Sequence, residues 1–287
     1  MYIDSYEYRT ATIDCLDHLE IEGIDRESYA VGQFIELMPD ITLSRNTAVL
    51  YAAGVGISQS ESRTPANVKD RYRGTVDYNS SSMLIKEISA YNLHKWIGSM
   101  ENNEYVVYAN VNSNTCASSM HSIYEADRLL SSGACDEVII IAEERTSFNT
   151  IRIFKEHGIP ITVADGIAVI RLSNDKSNLE ITDTKWGYEY NRNPFGTTDS
   201  GYAKVDSDCN TVKVHGTYTA NNNIAESTIY AGRDVIYYKS DIGHTQGVRA
   251  LIELCMAIDD DNIKDKVLCV ASGLGGFYGS CILNKAR

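Results

Sequence analysis

The chain has 287 residues, 43% of them hydrophobic, and a formal net charge of −13. That balance disfavours a general nucleic-acid binder, and uninterrupted apolar runs such as 138–142 are far too short to span a membrane. Seven cysteines without a CxxC pair argue against a disulfide framework or a zinc site, and residues 1–8 lack the basic and apolar regions of a signal peptide, so a cytoplasmic protein is expected.

In chain order, 47–54 (TAVLYAAG) reads as a buried strand, 82–97 as a helix with an imperfect apolar stripe, and 105–112 as an alternating strand. Residues 117–132 carry Met120, Ile123, Tyr124, Leu129 and Leu130 at helical spacing, and Gly133 supplies a helix stop. The all-apolar run 138–142 is a strand covered on both faces, and 167–172 is another. Strands follow at 179–188, 211–214, 234–238, 266–271 and 279–284, with a helix at 247–258. This is an α/β pattern, with a seam at 174–176 that divides the chain into halves of 1–173 and 174–287.

Three stretches carry chemistry. Cys116, in NTCASS, sits between a strand and a helix, where unpaired N–H groups and the positive dipole end favour thiolate over thiol. VHGTYT places His215 at a strand end with Thr217 and Thr219 on the loop after it. KSDIGHTQG ends a strand in Lys239 and brings His244 five residues later, just before a helix. Each stretch alone is compatible with an ordinary packed cysteine or a polar turn; a thiol, two histidines and a lysine, all at element ends, are a less ordinary set. SGLGGFYG lacks GxGxxG spacing and leads into a strand, so no dinucleotide site is expected, and neither a Walker lysine nor a GxSxG elbow is present.

In that order the motifs resemble the β-ketoacyl synthases (3-oxoacyl-carrier-protein synthases), condensing enzymes of the thiolase-like fold. NTCASSMHSIYEADRLLSSGACDEVIIIAEE resembles the family's nucleophile segment, HGTYTANNNIAE its HGTxT…E segment with Glu226 at the expected offset, KSDIGHTQGVRALIE its KSxxGHTxG segment through Glu253, and SGLGGFYG its closing glycine turn. The resemblance implies two pseudo-equivalent α/β halves in a layered αβαβα arrangement. It implies that Cys116 takes an acyl group from a carrier thioester, and that His215 and His244 hold the carbonyl of a malonyl-type thioester and the enolate left by CO2 loss. It further implies that Lys239, partnered by Glu253, sets the electrostatics near His244. Backbone N–H groups of Cys116 and Leu274 would form the oxyanion hole, and Thr217 and Thr219 would bind the pantetheine arm. No cofactor and no metal is implied. The implied partners are an acyl carrier protein, expected to dock on the basic residues Arg63, Lys69, Arg71 and Arg73, and a second ketosynthase-like chain, identical or not, paired through 105–112.

The departures matter. The segment before Thr47 is too short for the family's usual first strand, helices and lid, and only twenty residues separate Glu144 from Asp165, where the family has a long insertion around the acyl pocket. Leu274 stands where relatives carry a gating phenylalanine, Asn223 stands for an aspartate, Ile141–Ala142 for a glycine pair, and Arg249 lies in a helix start that is usually small and apolar. The expected activity is decarboxylative condensation in a specialised fatty acid or polyketide pathway. An acyltransferase to an amine or alcohol, or a non-catalytic partner subunit, are the alternatives.

Overall fold

The computed structural model describes residues 1–12, 41–54, 78–144, 162–190, 197–216 and 220–286. Ten strands form one mixed sheet: β1 (Tyr2–Thr12), β2 (Thr47–Ala52), β3 (Val106–Asn112), β4 (Glu137–Glu144), β5 (Ala164–Ser173), β6 (Leu179–Tyr188), β7 (Thr211–Lys213), β8 (Asp234–Ile236), β9 (Lys266–Gly273) and β10 (Phe277–Lys285). Their order is β3-β2-β4-β5-β1-β6-β10-β9-β7-β8. Read outward from its middle, this is one pattern written twice. In each half the first strand is innermost and followed by the fifth, fourth, second and third. Among the described residues, the two halves join within the sheet where Tyr2 pairs with Glu180.

Among the described residues, six helices accompany the sheet: α1 (Tyr78–Ser99), α2 (Ser118–Ser131), α3 (Asp199–Val205), α4 (Ala220–Ile229), α5 (Lys239–Ile242) and α6 (Arg249–Asp259). Side chains alternate across a strand, and that alternation assigns the layers. Ala48, Leu50 and Ala52 of β2, Val138 and Ile140 of β4, and Val267, Cys269 and Ala271 of β9 share one core with Met120 and Ile123 of α2 and Leu251, Ile252 and Leu254 of α6. The residues between them point the other way. Val49, Tyr51, Ile139 and Ile141 pack under Leu93 and Trp96 of α1, and Leu268 and Val270 pack under Tyr202 of α3 and Ala225 of α4. The result is helix, sheet, paired central helices, sheet, helix. Helix α6 is buried on nearly all sides, as a central-layer helix must be.

Two expectations need correction. A first strand is present: β1 pairs antiparallel with β5 from Tyr2–Ser173 to Thr12–Ala164. Its charged residues, Asp4, Glu7 and Arg9, hide the alternation, and of its first ten residues only Ile3 is buried. Lys239 does not end a strand, because β8 stops at Ile236 and Lys239 opens the short helix α5. The short helices α3 and α4 carry too little apolar periodicity to have been read from sequence.

The duplication extends to the loops that carry the site. A 3-10 turn, Thr115–Ala117, precedes α2, and a second, Gln246–Val248, precedes α6. Each opens on a non-glycine residue with positive φ, 53° at Thr115 and 48° at Gln246, a conformation that side chains adopt at a cost of order 1–3 kcal/mol and that clusters at functional turns. The two elbows meet across glycine backbone. A Cβ on Gly247 would lie 2.0 Å from the backbone nitrogen of Gly54, and a Cβ on Gly54 would lie 3.0 Å from the Thr115 carbonyl oxygen. The Glu144 carboxylate closes this junction by accepting from Gly54 N–H at 2.6 Å and Gly247 N–H at 3.2 Å. Gly247→Ala is therefore expected to cost about 1–3 kcal/mol or more in a denaturant titration. Gly98→Ala, on α1 where a Cβ would meet nothing within 4 Å, should be neutral or stabilising. Equal stability of the two variants would mean that the elbows do not touch.

Candidate active site

The first elbow aims Cys116 into the junction between the halves. Its sulfur lies 3.3 Å from Nε2 of His244, and the His244 ring stands edge-on to the His215 ring with centroids 6.2 Å apart. All three side chains are buried. His244 is held by its backbone, which donates to the Thr162 carbonyl at 2.7 Å and accepts from Ala164 N–H at 3.1 Å. These bonds tie the second half's motif to the edge of β5 in the first half. Lys239 is buried beside the histidines, and its Nζ has no hydrogen-bond partner among the described residues. Leu274 follows β9, with its side chain 42% exposed. Its carbonyl accepts from the Thr115 hydroxyl at 3.1 Å, and its backbone hydrogen-bonds the Cys116 sulfur. The structure thus brings Cys116, His215, His244, Lys239 and Leu274 together. Thr217, Thr219 and the basic residues at 63–73 lie outside the described residues.

Glu253 is where the expectation fails. Its carboxylate does not bond Lys239. One oxygen accepts from Lys213 Nζ at 2.7 Å and the other from Arg249 Nε at 2.7 Å. Lys213 also donates to the Val270 carbonyl at 2.9 Å, and Arg249 to the Val214 carbonyl at 2.9 Å. The remaining arm of the guanidinium hydrogen-bonds Nδ1 of His215, which also receives the Ser272 backbone N–H at 3.1 Å. Lys213, Arg249 and Glu253 are each no more than 1% exposed. Sequence reasoning missed Lys213 and Arg249 as site residues. The available signals were a lysine inside the strand triplet Val212–Val214 and an arginine four residues before a glutamate, in a helix otherwise apolar. Glu226 supports the same loop, accepting from Gly216 N–H at 3.1 Å and the Tyr202 hydroxyl at 3.0 Å.

The electrostatics follow from burial and from these cations. Burial, then the charges of Arg249, Lys239, His244 and Lys213, hold His215 well below the ordinary histidine range. Burial, Lys239 and Arg249 do the same to His244, so both rings are neutral at physiological pH. For Glu253, burial pushes upward, but Arg249, Lys213 and Lys239 outweigh it and keep the carboxyl below its usual range. Lys239 is pushed well down by burial and by Arg249, against the pull of Glu253. The thiol departs from the expectation of a resting thiolate. Burial, with the Glu144 carboxylate, raises the Cys116 pKa more than Lys239, Arg249 and the Leu274 backbone lower it.

Solved structures share this fold. A β-ketoacyl synthase from Burkholderia phymatum STM815 matches with a TM-score of 0.65 at 17% identity, covering 84% of this chain and 76% of that one. The chain carries the ketosynthase fold. The ishigamide ketosynthase/chain length factor matches with a TM-score of 0.61 at 15% identity over 94% of this chain and 79% of that one. An oxazolomycin ketosynthase domain from Streptomyces albus JA3453 matches with a TM-score of 0.56 at 14% identity; it covers 85% of this chain, which spans only 55% of that domain. No family model matches the chain, and no curated protein matches it. This is a thiolase-like α/β fold in a shortened, divergent form. No helix among the described residues is long and apolar enough to cross a membrane.

Because burial dominates at Cys116, its alkylation by iodoacetamide should keep rising with pH through the ordinary thiol range of about 8.5. Peptide mapping should find the adduct on Cys116, 9% exposed, rather than on the core cysteines Cys135, Cys209, Cys255, Cys269 and Cys281, which are 0–5% exposed. A rate that levels off below about pH 8 would make the thiolate the resting form.

Proposed function

We propose that this chain is a β-ketoacyl synthase-type acyltransferase, its halves 1–173 and 174–287 building one site for decarboxylative condensation of acyl thioesters. The observation that carries the reading is the contact of Cys116 with His244, with a second neutral histidine facing the same space. In the first step the Cys116 sulfur attacks an acyl thioester. The acyl–sulfur bond to the carrier breaks, the bond to Cys116 forms, and the thiol proton passes by way of His244 Nε2 to the departing carrier thiolate. In the second step the C–CO2 bond of a malonyl-type thioester breaks. Its electron pair becomes an enolate, held by the Nε2–H of His215. The enolate carbon attacks the acyl carbonyl while the N–H groups of Cys116 and Leu274 hold the oxyanion, and the Cys116–acyl bond then breaks, the sulfur leaving as a thiolate that takes up a proton from water to restore the thiol.

Neutral donors suit this chemistry. An enolate needs hydrogen-bond donors aimed where charge develops and fixed in advance, and His215 meets that need with Nδ1 already occupied. One solved ketosynthase of this fold is bound to its acyl-carrier protein, and a carrier thioester is the natural substrate class for a thiol set this deep. Only twenty residues separate Glu144 from Asp165, where the resemblance implies a long insertion around the acyl pocket, so short or unusual acyl groups of a specialised fatty acid or polyketide pathway suit the site best.

A second reading is favoured by one observation. Among the described residues, strand β3 pairs with β2 alone and ends the sheet, with Val107 and Tyr108 on it and Tyr105 just before it exposed. Long apolar edges are pairing or aggregation sites unless covered. We therefore propose that β3 pairs with a second ketosynthase-like chain. If that partner holds the chemistry, this chain would shape its pocket.

Intact mass separates the readings. Incubation with acyl-carrier thioesters should add an acyl group at Cys116 of the parent, and malonyl thioester should then release CO2. His215→Ala should load acyl groups but lose CO2 release by on the order of 10²–10³-fold, as when a preorganised donor is removed. A chain that never loads, alone or with its partner, is the pocket-shaping subunit. For the edge, light scattering of Val107→Lys should show a smaller species than the parent; an unchanged, active monomer would remove the pairing.

A further inference from the structure

We infer that Arg249 is a positioning residue for His215: its buried guanidinium, anchored on Glu253 and the Val214 carbonyl, donates to Nδ1 and so fixes the ring as an Nε2–H donor aimed at the reacting carbonyl. The inference rests on the proposed role of His215 and extends it to a residue that touches no substrate.

The geometry is over-determined. Arg249 is the largest fully buried side chain among the described residues, and three of its nitrogens are engaged: Nε with Glu253, one terminal nitrogen with Val214 and the other with His215. A guanidinium has donors and no acceptor. The ring nitrogen facing it must therefore carry the lone pair. Ser272 N–H, also a donor only, reaches the same nitrogen at 3.1 Å. Two donors on Nδ1 leave the ring proton on Nε2, because the tautomer is set by the bond the other nitrogen makes. A flipped ring would present a carbon to both donors.

The ionic wiring explains why an arginine is tolerated here. Lys213 and Arg249 share the single carboxylate of Glu253, which leaves one positive charge in excess within the buried triad. Arg249 keeps its fork because Lys213, from β7, holds the far oxygen and fixes the carboxylate plane. The groups that face His215 are Arg249, Lys239, His244 and Lys213, all opposing a proton on the ring. Losing Arg249 removes both the Nδ1 donor and the strongest of these charges. It leaves Lys213 and Glu253 as a balanced pair, so Arg249→Met retains a neutral core.

The test is nitrogen NMR on histidine-labelled full-length protein, comparing the parent, Arg249→Met and Arg249→Lys. In the parent, His215 should show a single Nε2–H tautomer that does not titrate across the neutral range. In Arg249→Met the Nδ1 signal should move toward that of an uncharged acceptor, and protonation should appear at least about one pH unit higher, a tenfold change in proton affinity. Arg249→Lys, which keeps charge but loses the fork, should fall between them. CO2 release from malonyl thioester should drop on the order of tenfold or more in kcat with KM little changed, in line with the cost of a mis-set catalytic histidine. Identical His215 shifts and titration in the parent and Arg249→Met would overturn the inference. Because the NMR readout needs no turnover, it decides the role of Arg249 even if the parent fails to load acyl groups, an outcome that counts only against the proposed function.

Discussion

One carboxylate between two cations governs the centre of this molecule. Glu253 of α6 is fully buried with Lys213 of β7 on one oxygen and Arg249 on the other. Taking any of these charges out of water costs several kcal/mol, and the arrangement persists because each leftover donor finds a carbonyl or a ring nitrogen. Lys213 reaches the backbone of β9 and Arg249 that of the residue before His215. The triad therefore links α6, β7 and β9 in one rigid unit. Removing Glu253 would strand two buried cations, the kind of change that costs 3–5 kcal/mol, whereas removing Arg249 leaves a balanced pair. Neutral histidines and a depressed Lys239 follow from burial first, and then from the same surplus of positive charge.

The second constraint is the repeated topology. The same strand order occurs in both halves, and each places a 3-10 elbow at the head of a central helix. In the first half the elbow carries Cys116; at the matching place in the second lies Gly247. The glycine is required because the Gly54 backbone occupies the space a side chain would need. One elbow presents a nucleophile and the other a flat backbone on which the first half can rest. His244 and Lys239 sit just upstream of the second elbow, so the duplicated scaffold yields a single composite site rather than two.

Much of this was legible in the sequence because it rests on local pattern. The apolar runs at 47–54 and 138–142 mark strands whose two faces are both covered, and the order of the cysteine, histidine and lysine motifs foretells a shared site. What stayed hidden depends on distant partners. Strand β1 looks polar because most of its side chains remain partly exposed, and only its pairing with β5, more than 150 residues away, makes it a strand. The partners of Glu253 could not be ranked from sequence, since Lys213 is forty residues away and Lys239 fourteen. The thiol's state also escaped: burial is a property of the packed fold, and at Cys116 it outweighs both nearby cations.

The surplus charge around Arg249 has a bearing on ligand selectivity. Ions from solution screen exposed charge within about a Debye length, but they cannot enter a core that is closed on every side. A site backed by such a charge ranks ligands by their own charge before their shape. A flat, anionic mimic of the enolate should be preferred over a neutral isostere of the same outline, and raising ionic strength should leave that preference largely in place. Selectivity of this kind would be inherited from a side chain that no ligand touches.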